Sequence, residues 1–453
     1  MVAISPTLDL TNANWDRFKD ILDDSLSNYD EPDNIRKDKS YIDDKITFWY
    51  RMIKEAIELC IPLKTFRILP YSKETENLKQ LQYCYKQALV LINNHGPSQQ
   101  LLEYLQNIKE RIKIEAKELI NSTWETLLNK IEGIYRDPGK FWKMIRRLLG
   151  SDTEPTAYIL HNNRKIISTP DQEPIFREYW SNIFKINPWE NLRFDLQHEQ
   201  RVIAALHEHD DQIIPYDTVD LDRLDVEDQF IKPIQLQDII KIINNFKNKA
   251  PGHSRVNKII IKHLPNSMLV FLRVIFNETI SMGYWPDFFK KALLPFVGKK
   301  GKDLTTVSNY RPISLLEIPG KILEKIIQIR FNEFLEDNLL TNNNQYGFTQ
   351  GKGTQLALTR LYEFIAVKKS LGHGCNLISR DVSRAFDKVW HDGLKYKLLE
   401  AQLPDLPTRL PCNFLDNRVA RIKIKDFIGP EFQLQSGVPQ GSILIPITLQ
   451  LLH

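Results

Sequence analysis

Leu101, Leu105, Ile108, Ile112, Ala116 and Leu119 recur every three or four positions among charged residues such as Glu110, Arg111 and Lys117. That spacing predicts an amphipathic helix with one buried stripe. Pro62, Pro70 and Gly96-Pro97 punctuate the same region, and Asp137-Pro138-Gly139 opens an aromatic and basic run from Lys140 to Arg147. Several helices joined by short loops are therefore expected up to about Gly150. Phe141 and Trp142 read as helix-packing residues rather than nucleic-acid contacts. From Leu371 the pattern changes. Cys375 to Val382 reads as a buried strand and the residues after Ser383 as a helix. Ala420, Ile422 and Ile424 then alternate with Arg421, Lys423 and Lys425, as in a strand with one wet, basic face. Gly429-Pro430 is the expected turn into Phe432 to Gln435. The second half is thus α+β, with a strand-to-helix unit and an antiparallel hairpin.

Charge sharpens these boundaries. Residues 201–231 hold nine acidic side chains against two arginines, a local balance of −7, and few large apolar positions. This predicts a solvated linker between a helical region at 1–200 and a second domain at 232–453. Lys241 to Lys302 then carries twelve Lys or Arg against Glu278 and Asp287, a balance of +10 inside a chain whose net charge is only +4. Such a block can neutralise phosphates, although a water-exposed helix face has the same composition. At 453 residues the chain is long enough for two or three cores, and 42% hydrophobic with 26% charged residues excludes a mainly disordered protein. The 4 cysteines, Cys60, Cys84, Cys375 and Cys412, form no CxxC pair, which argues against a disulfide framework and a zinc site. There is no signal-peptide pattern at the amino terminus and no run near the ~18 apolar residues of a membrane span. The expectation is an intracellular protein of the cytoplasm or nucleus, with no membrane partner.

Three constellations could carry chemistry. Lys299-Lys300-Gly301-Lys302-Asp303, followed by Asn309-Tyr310-Arg311-Pro312-Ile313-Ser314, presents lysines on a glycine turn beside an arginine fork, which suits a triphosphate. Solvated surface lysines are the bland reading. Asp381-Val382-Ser383-Arg384-Ala385-Phe386-Asp387 places a carboxylate at a strand end, where a divalent cation and a substrate can meet. Asp387, inside the following helix, reads as a surface or locally hydrogen-bonded carboxylate. Ser436-Gly437-Val438-Pro439-Gln440-Gly441-Ser442 makes a turn where backbone approaches a ligand and an amide can face a base or sugar, although a plain hairpin turn looks similar.

Taken together and in this order, the run from Asn309 to Leu315, the run from Asp381 to His391 and the run from Gly437 to Ser442 resemble the reverse transcriptase of non-LTR, LINE-type retrotransposons, the Jockey-like group most closely. Lys247-Asn248-Lys249-Ala250-Pro251-Gly252 and Gln345-Tyr346-Gly347-Phe348 near Gly351 are also similar, and the strong part covers about residues 235–445. The resemblance implies an RNA-directed DNA polymerase with a right-hand fold, here fingers and a partial palm after an α-helical N-terminal region. It implies an RNA template, a DNA primer, deoxynucleotide triphosphates and Mg2+. By that likeness Lys299, Lys302 and Arg311 contact the triphosphate, Asp381 and the carbonyl of Val382 bind metal, Phe386 lies under the sugar, and Gln440 and Gly441 line the pocket beside the nascent base pair. Attack of a primer 3′-hydroxyl on the α-phosphate is the chemistry implied.

Departures shape the expectation too. Family members carry an aromatic-Ala-Asp-Asp turn after the Pro-Gln-Gly segment, and no residue after Gln440 is acidic here. No endonuclease is expected before the helical region. His253-Ser254 stands where an aspartate usually follows Pro-Gly, and Arg380 precedes Asp381 in a normally apolar layer. On these grounds the chain alone is expected to lack polymerisation, to expose a strand edge and to leave the apolar tail from Ile443 to Leu452 without its packing surface. The alternatives are a non-catalytic nucleic-acid-binding remnant and a helical interaction protein.

Overall fold

The structure is a computed structural model. It describes residues 7–29, 31, 38–64, 158–185, 196–212, 232–246, 250–337, 344–349, 351–401, 405–425 and 427–444, with helical positions scattered between 77 and 115. Two compact units divide the chain: residues 1–7 with 63–154, and residues 8–62 with 155–453. In the first unit Ile108 is buried, Ile112 half-buried, and Glu110 and Arg111 exposed, as the helical stripe requires. Leu101, Leu105, Ala116, Leu119, Phe141 and Trp142 lie outside the described residues.

The second unit holds residues 8–62 together with the α+β part. Helices α1 (Trp15–Ser27) and α2 (Lys39–Cys60) start at side-chain caps, where Asn14 accepts from the Arg17 amide and Asp38 from the Tyr41 amide. Their apolar faces bury Phe18, Leu22, Trp49 and Ile53 completely or nearly so. A small hairpin, β1 (Ile159–His161) and β2 (Arg164–Ile166), precedes α3 (Thr169–Ile183). Next come α4 (Leu196–Gln212), α5 (Leu236–Asn245) and α6 (Asn266–Ser281). The N-terminal helices are locked to α6 and the residues beyond it by polar contacts. Trp49 Nε1 donates to the Met268 carbonyl at 3.2 Å, the buried Lys45 ammonium meets Glu278 at 3.2 Å, and Tyr284 donates its hydroxyl to Asp43 at 2.5 Å. Further on, Glu317 is fully buried and accepts from the Ser254 amide at 2.9 Å, the Ser254 hydroxyl and the Tyr50 hydroxyl at 3.3 Å. Burial raises the Glu317 carboxyl above its ordinary value against the pull of those donors.

A four-stranded mixed sheet organises the rest. Its strands are β3 (Ala292–Gly298), β4 (Tyr310–Pro312), β5 (Val419–Ile424) and β6 (Phe427–Gln433), in the order β4-β3-β5-β6. β3 runs antiparallel to β4 and parallel to β5, and β5 pairs antiparallel with β6. Partners in register share a face. Ala292 and Leu294 of β3 therefore lie with Ala420 and Ile422 of β5, on the side that α3 covers through Phe176 and Trp180, whose rings come within 4.7 and 5.7 Å of Phe296. Leu293, Pro295 and Val297 lie on the opposite face, in register with Arg421, Lys423 and Arg311. Further helices are α7 (Ile318–Asp337), α8 (Thr354–Ser370), α9 (His391–Glu400) and α10 (Asp405–Leu415), with short ones at Lys258–Lys262 and Asp287–Lys290.

Four local expectations are corrected. Cys375 to Val382 forms no strand, and every residue from 371 to 385 is exposed, Leu377, Ile378 and Val382 by 70% or more. No described strand lies beside this segment to take its amide and carbonyl groups, so they remain with water. The residues after Ser383 form turns, with Arg384 at φ 56°, and the helix starts only at His391. Gly429-Pro430 sits inside β6, and the turn comes earlier, at Lys425 with φ 53°. Pro430 is tolerated because β6 is an edge strand, where no neighbour needs its missing N–H. Residues 201–212 continue α4 rather than a linker, because the acidic stretch keeps apolar Val202 on a buried face, and residues 213–231 lie outside the described residues.

The burial of α2 makes the second unit depend on it. Trp49→Ala is expected to cost about 3–5 kcal/mol and the exposed Leu59→Ala less than about 0.5 kcal/mol. Urea denaturation followed by circular dichroism measures both, and equal midpoints would show that α2 contributes nothing.

Candidate functional site

The Pro-Gln-Gly loop after β6 carries backbone groups into a largely buried setting, and each finds a partner from a different segment. The amides of Gln435 and Ser436 both donate to the Phe184 carbonyl just past α3, at 3.0 and 2.8 Å. The amides of Gly437 and Val438 donate to the carbonyls of Val389 and Phe386, at 2.8 and 2.7 Å. The Gly437 carbonyl lies 2.7 Å from His391 Nε2, and because a carbonyl only accepts, that ring nitrogen carries the proton. Ser314, following β4, donates its amide to the Gln440 carbonyl at 2.9 Å. On the far side the buried Glu324 of α7 accepts from the Ser442 hydroxyl at 2.6 Å, the Leu444 amide at 3.2 Å and the Ile443 amide. Gly437 has φ +81°, and a Cβ there would come within 2.6 Å of the Asp387 carbonyl, so glycine is required by both conformation and space.

This bonding closes a small cavity lined by Phe184, Leu294, Pro312, Asp387, Leu434 and Gln440, among others. Asp387 is 7% exposed and accepts from Gln440 Nε2 at 2.6 Å. Burial raises its carboxyl above the ordinary value, while the Gln440 amide and the charges of Arg384 and Lys299 pull it back. Arg384 in turn donates to the Tyr179 hydroxyl of α3 at 2.8 Å. The lysine loop reaches the same neighbourhood. Lys299 Nζ donates to the Ser308 carbonyl at 2.8 Å, and the Leu160 amide of the small hairpin holds the loop at the Thr305 carbonyl, at 2.9 Å.

The residues singled out from sequence are therefore placed unequally. Gln440 is half-buried at the cavity, Gly441 is exposed with φ +134°, and Lys299 is half-buried with its charge acting on Asp387. Phe386 is half-buried against the core, its ring 6.2 Å from that of Phe348. Lys302 is exposed on the loop, and Arg311 is exposed on the sheet face opposite α3. Asp381 and Val382 are exposed on the irregular stretch. Among the described residues no three His, Cys, Asp or Glu side chains converge into a metal-binding group. Asp387, His391 and Glu324 were missed as site residues. The first two stand inside the run from Asp381 to His391, and a polar residue amid apolar neighbours was the available signal.

Residues 297–453 match the reverse transcriptase (RNA-dependent DNA polymerase) family. The chain is 32% identical over 216 residues to a Drosophila melanogaster protein described as "Probable RNA-directed DNA polymerase from transposon X-element", covering 48% of this chain and 24% of that protein. It is 33% identical over 220 residues to the RNA-directed DNA polymerase from mobile element jockey of the same species, with the same coverage of both chains. The chain carries a LINE-type reverse transcriptase domain. It spans about a quarter of the length of these relatives. The loop and cavity described above fall within this non-LTR reverse transcriptase domain, apart from the contributions of Leu160, Tyr179, Phe184 and Leu294. No helix among the described residues is long and apolar enough to cross a membrane.

His391, bonded to the Gly437 carbonyl, makes the loop at 435–444 sensitive to acid. Burial lowers its imidazole below the ordinary 6.5, with Arg418 and Lys395 adding to the effect and the Gly437 carbonyl and Asp416 opposing it. A depressed folded value means the stabilisation is present above 6.5 and is lost as pH falls through the folded value. His391→Gln keeps a donor for the Gly437 carbonyl and removes the titration. Its melting temperature is expected to fall less than that of the unmodified chain between about pH 7 and pH 5; equal slopes would assign the acid sensitivity elsewhere.

Proposed function

We propose that this domain supplies the nucleotide-binding and template-facing part of an RNA-directed DNA polymerase, in a fingers-and-palm arrangement. The observation that carries the reading is that Gln440 and Asp387 line one cavity, with Lys299 near enough for its charge to act on Asp387 and with cations on one face of the neighbouring sheet. Lys299, Lys302 and Arg311 would meet the triphosphate, Lys as point charge and Arg as a planar fork. Phe386 would lie under the sugar, and Gln440 and Gly441 beside the base pair. Asp381 and the carbonyl of Val382 would share magnesium with the substrate phosphates, and the ion would supply charge neutralisation there. The described residues do not by themselves complete a magnesium site, so no step of the chemistry is derived through one.

The sheet face away from α3 supports contact with an RNA template and DNA primer. Arg311, Arg421 and Lys423 lie on it, opposite Val297, Leu293 and Pro295 of β3. Arg421, Lys291 and Arg255 act on the His253 ring, and together with burial, the larger cause, they hold its imidazole below the ordinary range while Glu431 opposes them. Arg421 pairs with Glu431 at 3.2 Å. Polyanion binding on such a face releases counterions and is steeply salt dependent.

Two experiments test this. In primer extension on an RNA template with magnesium, any synthesis by the chain must vanish in Asp381→Ala; synthesis that survives would overturn the assignment of Asp381. In a salt titration of RNA binding, Arg421→Ala with Lys423→Ala is expected to lower the slope of log affinity against log salt by roughly 1–2. An unchanged slope would remove this face from the interface.

A further inference from the structure

The amide of Gln440 is held by one contact that the polymerase reading does not use. Its backbone is fixed from one side, where the carbonyl accepts from the Ser314 amide at 2.9 Å. Its side chain is fixed from the other, where Nε2 donates to Asp387 Oδ1 at 2.6 Å. Asp387 is itself immobilised: its amide donates to the Arg384 carbonyl at 2.9 Å, and its flanking residues Phe386 and Val389 take the amides of Val438 and Gly437. A carboxylate accepts and cannot donate, so it selects one of the two flips of the Gln440 amide, the one that turns nitrogen toward Asp387. The amide oxygen and the second N–H then remain for a ligand group that approaches Gln440. Burial, the larger effect, raises the Asp387 carboxyl, while the Gln440 amide and the charges of Arg384 and Lys299 favour its acceptor form.

We propose that Asp387 is a positioning residue that sets the flip and rotamer of Gln440, so that the amide offers its oxygen to an incoming nucleotide. This rests on the reading of Gln440 as a nucleotide contact. It assigns Asp387 a specificity role: a cavity presenting a fixed acceptor favours ligands with a donor at that point and rejects those that offer only an acceptor.

A mutant cycle on the full chain, read by titration with thymidine triphosphate, tests it. Asp387→Ala and Gln440→Ala are each expected to weaken binding about tenfold, the value of one well-placed hydrogen bond, and the double variant no further. Asp387→Asn still accepts from Nε2 but can also donate to the oxygen, so it should lose less than about threefold. Additive losses in the double variant would overturn the proposal, because Asp387 would then act independently of Gln440. A second readout needs no nucleotide. In the chain carrying 15N-glutamine, the side-chain NH2 signal that disappears in Gln440→Ala should shift and exchange faster with water in both Asp387 variants, more so in Asp387→Ala. An unmoved signal would overturn the proposal. Should Asp387→Ala fail to fold, Asp387→Asn carries both measurements. A chain that takes up no nucleotide while the NH2 signal responds as described would sink the nucleotide reading of the cavity and leave the positioning role standing.

Discussion

Backbone polar groups taken out of water must be paired, and the loop at 435–444 meets that constraint with partners from four separate stretches of chain. Phe184, Ser314, Glu324 and the segment from Phe386 to His391 each satisfy groups that would otherwise be orphaned. An unpaired buried amide costs about 1–3 kcal/mol, so losing any one of these partners would weaken the arrangement at several points. The bonds also have a geometric consequence. They bring the turn carrying Phe386 and Asp387 against the loop carrying Gln440, and so create the cavity that neither segment could form alone.

Buried charge plays the same part further from the cavity. Glu317 receives donors from α2 and from the Pro-Gly loop at once, while Lys45 of α2 meets Glu278 of α6. Such pairs add little net stability, since desolvation offsets much of the attraction, but removing one partner strands the other. They therefore fix how the N-terminal helices sit on the rest of their unit more than how tightly. Arg418 marks the limit of this strategy. It is fully buried with one bond to the Phe414 carbonyl, Nε and Nη2 find no partner, and burial pulls its guanidinium down to about 10.

The legible part of the sequence was the part governed by local period and by fixed motifs. Ala420, Ile422 and Ile424 alternate inward as their spacing requires, and the family follows from the three motif runs in order. The misread elements depend on neighbours. Cys375 to Val382 has the composition of a strand, but strand geometry needs an adjacent backbone, and periodicity carries no information about whether one is present. Gly429-Pro430 looks like a turn until β6 is known to be an edge. Asp387 looked like a surface carboxylate because its partner, Gln440, lies 53 residues away, and no local rule connects the two.

The motif from Asp381 to Asp387 is divided in two. Its second half is anchored: Phe386 packs on the core and Asp387 is buried under the loop. Its first half is exposed, including Asp381 and Val382, and it continues back through residues 371–380 into α8, none of whose residues is buried. Arg384, at φ 56°, stands at the boundary, with its side chain on Tyr179 of α3. Stability within a fold follows buried contact and paired backbone. The amide that would read the nucleotide is therefore held in a buried, paired segment, and the carboxylate that would share its metal stands on an exposed one. Arg384, bonded to Tyr179, is the point at which the exposed half that carries Asp381 joins the buried half that carries Asp387.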